Sequence, residues 1–297
     1  MNNGMIFVLI TALCFTTLEP VSKLIANEIN PYAITAIRFF IGSLVLLPFS
    51  VREIVKNKIK LEAKDFLVLG GLGILFICVS MVLLQVAVKV ADSPALIAII
   101  FSSNSIFTIA LSAIFLNNKL TPVKVTGIIL CVIGVLVSAD LSQGSNALSV
   151  ILAILASVTF SIYTVLCKKY MTKVSGVIQS GISFFMGSVI LTIALLVGGI
   201  EVFGGISSGN IMTVLYIAII VTGVGYWGYF AAINKGGAQM AAISFLIKPI
   251  LTPFATFAIN GIVPDSNIIV AVILVVVGAM LCSGTIQNIK EMRGIKK

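Results

Sequence analysis

Four ionisable side chains, Glu19, Lys23, Arg38 and Lys248, are set inside long apolar runs of a chain that has no histidine. On the insertion scale a charged group at a bilayer centre costs about 2.5–3.5 kcal/mol, so such residues face a bundle interior or a wet cavity. Lys248 carries the most information. It lies deep in the ninth apolar run and is followed by Pro249 and Pro253. A proline inside a helix frees a carbonyl one turn back and kinks the axis, and irregular backbone of this kind is tolerated where it lines a cavity. The Lys248 ammonium could attract a carboxylate or other anionic group of a solute. Alternatively it could bond the freed carbonyls and serve packing alone.

Glu19 is the only carboxylate well inside an apolar run. Burial favours its neutral form and a nearby cation its charged form, which makes it a proton-coupling candidate. Lys23 stands one helical turn further on, on the same face. A fixed Glu19–Lys23 or Glu19–Arg38 pair that tethers the first two helices is the structural alternative. Lys23 can also snorkel outward; it and Arg38 read as structural or gating charges.

A polar cluster, Ser102-Ser103-Asn104-Ser105, interrupts the fourth apolar run and matches the position of Lys248 in the ninth. Helices 4 and 9 are expected to face each other across a cavity. Gln85, Tyr163 and Trp227 could complete the pocket, since aromatic walls hold apolar solute groups. Trp227 is preferred over Tyr226 and Tyr229 because it lies too deep for an interfacial aromatic belt.

Other chemistries find no support. Without histidine the commonest base and metal ligand is missing. The five cysteines fall in separate apolar runs with no paired spacing, where single cysteines act as small apolar residues. There is no HExxH or GxSxG motif and no pair of intramembrane aspartates, so catalysis, a metal and a cofactor are not expected. Gly223-x-Gly225-x-x-Gly228 matches the dinucleotide pattern by letter, but it lies within an apolar run with no strand before it.

The elements that position these residues follow from composition. The 297 residues are 59% hydrophobic and 10% charged, with mean hydropathy +1.19. So few charges cannot cover a soluble globule; the expected class is an all-α polytopic membrane protein. Turn chemistry divides the chain into ten spans at about 5–27, 31–50, 66–88, 93–116, 123–140, 148–169, 176–198, 210–233, 238–260 and 267–286. The first reads as a retained helix, not a cleaved signal.

Alternate connections differ in charge. One side collects Arg52, Lys56, Lys58, Lys60 and Lys64, then Lys119 and Lys124, then Lys168, Lys169 and Lys173, then Lys235, and finally Lys290, Arg293, Lys296 and Lys297. The other side holds Lys89 with Glu28, Asp92, Asp140, Glu201 and Asp265. By the positive-inside rule both termini are cytoplasmic. The net charge of +9 therefore orients the chain in a membrane and implies no nucleic-acid partner.

A constant shift lays the second half on the first. Phe15 meets Phe160, Lys23 meets Lys168, and Ile37-Arg38-Phe39-Phe40-Ile41-Gly42-Ser43 meets Ile182-Ser183-Phe184-Phe185-Met186-Gly187-Ser188. Two five-helix repeats, 1–143 and 144–297, are expected. An odd number of spans inverts the second, which gives alternating access its two comparable end states.

These residues resemble the drug/metabolite transporter superfamily, in its EamA-like branch. The resemblance rests on Phe15 to Lys23, Asn30-Pro31 and Arg38-Phe39, then on Phe115-Leu116-Asn117-Asn118-Lys119-Leu120-Thr121 with Gly127 and Gly134. In the second half it rests on Phe245 to Pro249 and Val277-Gly278. Asn118 stands where the family often has an acidic residue, and Ser103 where a proline is common. The resemblance implies export or facilitated movement of amino acids or other small metabolites through a central cavity, in a bacterial cytoplasmic membrane. The expected partners are a small solute and membrane lipids, with protons a further candidate, and a monomer suffices. A proton-coupled exporter of cationic drugs or polyamines is the competing expectation; it would need Glu19 unpaired and exposed to the cavity.

Overall fold

In the computed structural model, residues 3–115, 121–138, 146–171 and 173–283 are described. Several residues used above to orient the chain, Lys119, Asp140, Lys290, Arg293, Lys296 and Lys297, and the family-pattern residue Asn118, lie outside them.

Among the described residues eight helices are long and apolar enough to cross a membrane: α1 Gly4–Leu24, α2 Pro31–Lys56, α3 Ala63–Val90, α4 Pro94–Phe115, α6 Ala147–Tyr170, α7 Gly176–Val197, α8 Ile211–Lys235 and α9 Ile243–Asn260. Two shorter apolar helices, α5 Pro122–Ser138 and α10 Ser266–Leu281, complete the bundle. The starts follow local chemistry. Pro31, Pro94 and Pro122 each occupy a first helical turn, where a missing N–H costs nothing. The side chains of Asn30, Asn146 and Ser175 cap α2, α6 and α7, satisfying N–H groups that the helix leaves free.

One expectation changes. The basic connection 52–65 is mostly helix, because α2 continues to Lys56 and α3 begins at Ala63. The break expected at Gly236-Gly237 lies among residues 236–242, whose side chains are not described. The rings of Tyr229 and Phe245 lie 5.5 Å apart, where a straight helix would separate the two residues by about 24 Å. The chain therefore doubles back between them, and α8 and α9 lie side by side.

Equivalent helices of the two halves pack antiparallel. On α2 and α7, Phe40 meets Phe185 with ring centroids 5.8 Å apart, and Ser50 Oγ donates to Val177 O at 2.9 Å. On α5 and α10, a Cβ on Gly134 would lie 3.1 Å from Ala271 O, and one on Gly278 would lie 2.6 Å from Gly127 O. The same reciprocity links α2 to α8 and α7 to α3. A Cβ on Gly42 would lie 3.2 Å from Ala218 O, and one on Gly187 would lie 2.5 Å from Gly73 O. The shift that lays Phe15 on Phe160 also lays Gly42 on Gly187 and Gly73 on Ala218. Only glycine allows backbones this close, and small residues serve this purpose at membrane helix contacts.

α3 and α8 share a further irregularity. Each widens into π-helical turns, at Ile74–Met81 and at Tyr216–Val224, stretches that overlap under the same shift. Such wide turns concentrate where a helix serves a site.

One end of the bundle is laced together. Lys23 Nζ donates to the carbonyls of Lys89 and Ala91, at the end of α3 where C-terminal carbonyls attract a cation. Asn146 Nδ2 donates to Val90 O at 3.1 Å, Asn210 Nδ2 to Glu28 Oε2 at 2.6 Å, and Asn260 Nδ2 to Pro20 O at 3.1 Å. At the other end Lys173 pairs with Asp65 at 2.6 Å.

Candidate functional site

A cavity of about 420 Å³ lies between the halves. Its walls come from one face of each of several helices. α6 contributes Phe160, Tyr163, Thr164 and Cys167, and the α8–α9 element contributes Tyr226, Tyr229, Phe230, Phe245 and Pro249. α4 adds Ser102, Asn104 and Thr108, and α7 adds Gln179. The cavity reaches Cys167, Gly176 and Ile233, near the end of α6, the start of α7 and the end of α8. It therefore extends away from the laced end. Its lining is mostly apolar with a few convergent polar groups, the usual make-up of a small-molecule site.

The polar groups owe their positions to a fault in α4. Its helix is interrupted at Ser103, between Pro94–Ser102 and Asn104–Phe115. Ser103 N–H bonds Ile100 O at 3.1 Å, tightening the turn. A hydroxyl from α6, Ser161 Oγ, lies 2.7 Å from Asn104 O. Ser102 Oγ and Ser103 Oγ donate back to Ala98 O and Ile100 O, each at 2.6 Å. Asn104 Nδ2, buried, finds no partner among the described residues.

Deeper lies a charged floor. Lys248 Nζ donates to Glu19 Oε1 at 2.6 Å, with side-chain exposures of 3% and 0%. Lys248 also stands 5.4 Å from the Phe101 ring centroid, so α4 and α9 do meet here. Glu19 Oε2 has no partner among the described residues. α1 is interrupted at Thr17, between Asn3–Thr16 and Leu18–Leu24, and this brings Glu19 round to α9. Glu19 pairs neither with Lys23, whose ammonium closes the laced end, nor with Arg38. Burial explains the choice, because an ammonium as deep as Lys248 needs a charged partner and Lys23 can reach carbonyls at the bundle's end.

The structure sorts the remaining expected residues. Tyr163 is on the wall; Gln179 Nε2 donates to its hydroxyl at 3.4 Å, and its ring stacks on Phe76 with centroids 4.6 Å apart. Ser102 and Asn104 line the cavity and Ser103 does not, although the hydroxyls of both serines bond their own helix. Gln85 is buried but lines neither the cavity nor the crevice beside the ion pair. Pro249 lines the cavity; Pro253, one turn on, does not.

Trp227 is misplaced by the sequence reading. It packs edge-on to Phe7 at 5.4 Å and beside Phe49 at 5.9 Å, and it borders a surface groove with Arg52 and Lys56. Adjacent helical residues diverge by about 100°, so depth in a span says nothing about which way a ring points. Tyr226, Tyr229 and Phe230 take the cavity face instead. Their three- and four-residue spacing, matched by Phe160, Tyr163 and Thr164 on α6, is the signal that would have found them.

The comparisons also find two like halves. A model of the EamA-like transporter family matches residues 2–139 and again 147–284. The chain belongs to the EamA-like transporter family. The two EamA matches are offset by the shift that lays Phe15 on Phe160. A Clostridium kluyveri protein named an uncharacterized transporter is 33% identical, covering 99% of this chain and 97% of its own length. An Archaeoglobus fulgidus protein of the same description is 30% identical over 76% of this chain and 79% of its own. Bacillus subtilis has one, YyaM, at 26% identity, over 92% of both chains. A solved crystal structure superposes with TM-score 0.67 over 97% of this chain and 98% of that one, at 15% identity, a likeness of fold alone. The protein is thus a multi-pass membrane transporter with two EamA repeats.

Proposed function

We propose that this EamA transporter moves a small amphipathic metabolite, an amino acid or a compound of similar build, across a bacterial cytoplasmic membrane by alternating access, as an exporter. The observation that carries this reading is the aromatic-walled cavity of about 420 Å³, which lies between equivalent halves and beside the Glu19–Lys248 pair. Aromatic rings take up the apolar part of the solute. Asn104, Ser102 and Tyr163 offer hydrogen bonds, and the buried cations draw its anionic end.

In this proposal all ten helices cross the bilayer, α5 and α10 included, with both termini in the cytoplasm and repeats at 1–143 and 144–297. The end bearing Lys173 and Lys235 is then cytoplasmic and the laced end faces outward, so the conformer described is open inward. Glu19 is the proton-coupling candidate, since protonation would release Lys248. Lys23 is the outer gating charge, and the kinks at Pro249 and Pro253 let α9 bend as access alternates. A single chain supplies the whole cavity, so a monomer suffices.

The competing exporter of cationic drugs or polyamines needs a free carboxylate on the cavity wall. Glu19 is engaged by Lys248 and does not line the cavity, which favours the anionic-group reading. Counterflow in proteoliposomes tests it. Vesicles loaded with an unlabelled amino acid should accumulate the same labelled compound, whereas counterflow with polyamines but with no amino acid would reverse the choice.

A further inference from the structure

Glu19, Lys248 and Arg38 form a buried cluster of two cations and one carboxylate. Lys248 takes Glu19 Oε1, and among the described residues no carboxylate pairs with Arg38. Arg38 is 1% exposed, on α2. Among the described residues its guanidinium makes one hydrogen bond, from Nη2 to Met81 Sδ at 3.5 Å, and a thioether is a weak acceptor. Its Nε has none. The ring of Phe39 lies 4.5 Å away, a contact that favours a cation without neutralising it.

Such a group is expensive, since an uncompensated buried charge destabilises a fold far more than a paired one. Its position gives the reason for keeping it. Arg38 and Lys248 both border a narrow crevice of about 20 Å³, room for about one water molecule. Three rings, Phe160, Tyr226 and Phe245, line this crevice and also the large cavity, so they stand between the two spaces.

We propose that Arg38 is the counter-ion for a carboxylate, or an equally compact anionic group, of the transported solute. The planar guanidinium fork suits such a group, which two parallel N–H donors can hold. The solute's apolar part stays among the aromatic walls while its anionic end passes the three rings into the crevice. There it neutralises the cluster that Glu19 alone leaves one charge short. This inference rests on the transport reading and adds the residue that selects the solute.

The test uses purified full-length protein and a probe series of one apolar skeleton: leucine, its carboxamide leucinamide, its decarboxylated amine, and the simple carboxylate 4-methylpentanoate. Binding is read as thermal stabilisation at millimolar concentration, and transport as counterflow in vesicles. The carboxylate-bearing probes should stabilise the wild type more than leucinamide or the amine. Arg38→Met should weaken their binding by about 10- to 100-fold, and Arg38→Lys should restore part of it. Without any probe, Arg38→Met should unfold at or above the wild-type temperature, because it removes an unneutralised charge.

Equal or stronger stabilisation by the amide or the amine, or no stabilisation by either carboxylate, would overturn the proposal. So would a fall in the ligand-free unfolding temperature of Arg38→Met as large as that of Glu19→Gln, the mark of a structural ion. Failures of the two readings differ. Counterflow of the amine alone would keep a transporter and remove Arg38's role. Carboxylate-selective stabilisation without counterflow of any probe would keep the anion site and remove the transport reading.

Discussion

Glu19 and Lys248 come within 2.6 Å across 229 residues of sequence, joining the first helix of one repeat to the fourth helix of the other. The buried cation of the second half is thus answered by a carboxylate of the first. α1 packs against the α8–α9 element and α6 against α3 and α4, so the first helix of each repeat serves the opposite half. A cavity between the halves is then a consequence of the repeat and needs no added element.

The pair itself should behave as a buried ion pair. Removing Glu19 strands two buried cations, at a cost of about 3–5 kcal/mol, whereas removing Lys248 leaves Glu19 facing Arg38 and costs less. Glu19→Gln should lower the unfolding temperature of the detergent-purified protein more than Lys248→Met does, and the double variant should recover most of the Glu19→Gln loss. Losses that simply add would mean the two side chains do not interact in the membrane.

Proton coupling at Glu19 gives a separate expectation. A neutral Glu19→Gln side chain cannot bind or release a proton, so its counterflow should persist while accumulation driven by a pH gradient disappears. Gradient-driven accumulation by Glu19→Gln at the wild-type level would exclude Glu19 as the coupling group.

Backbone contact between α3 and α7 rests on Gly73 and Gly187. A side chain at Gly73 would collide with Ser183 O, and one at Gly187 with Gly73 O at 2.5 Å. Gly71, two residues away, has nothing within 4 Å of the place a methyl group would take. Gly73→Val and Gly187→Val should therefore cost several kcal/mol, about 3 or more through overpacking of rigid backbone, and abolish folded yield. Gly71→Ala should be silent. Size-exclusion profiles and unfolding temperatures of the three variants decide this.

The aromatic assignment also separates neighbours in sequence. Tyr226→Ala and Tyr163→Ala should raise the half-saturating solute concentration by about tenfold, the loss of one aromatic contact of roughly 1.4 kcal/mol. Trp227→Phe should leave it unchanged, since its ring lies against Phe7 and Phe49. Concentration dependence of counterflow measures both.

Hydropathy and turn residues made the helices legible, because lipid demands long apolar runs whatever the fold. The repeat was legible in part. Gly42-Ser43 and Gly187-Ser188 align in sequence, and they mark real contact points because close backbone approach tolerates only glycine. Partnership was not legible. Nothing near Glu19 in sequence indicates that it turns away from Lys23 toward Lys248, a choice set by the interruption at Thr17 and by the return of α9. Nor did depth distinguish Trp227 from Tyr226, because only rotation about the helix axis decides which ring meets the cavity.

The most direct test of an inward-open cavity between the repeats is thiol accessibility at Thr164, which lines it. Thr164→Cys, in a background with the native cysteines replaced, would be treated with a small charged methanethiosulfonate. The reagent would be applied to inside-out vesicles and to right-side-out vesicles. Rapid modification from the cytoplasmic face, slow modification from outside and faster outside modification on adding Lys23→Met are the predicted results. Equal modification from both faces, or modification from the outer face alone, would contradict the account.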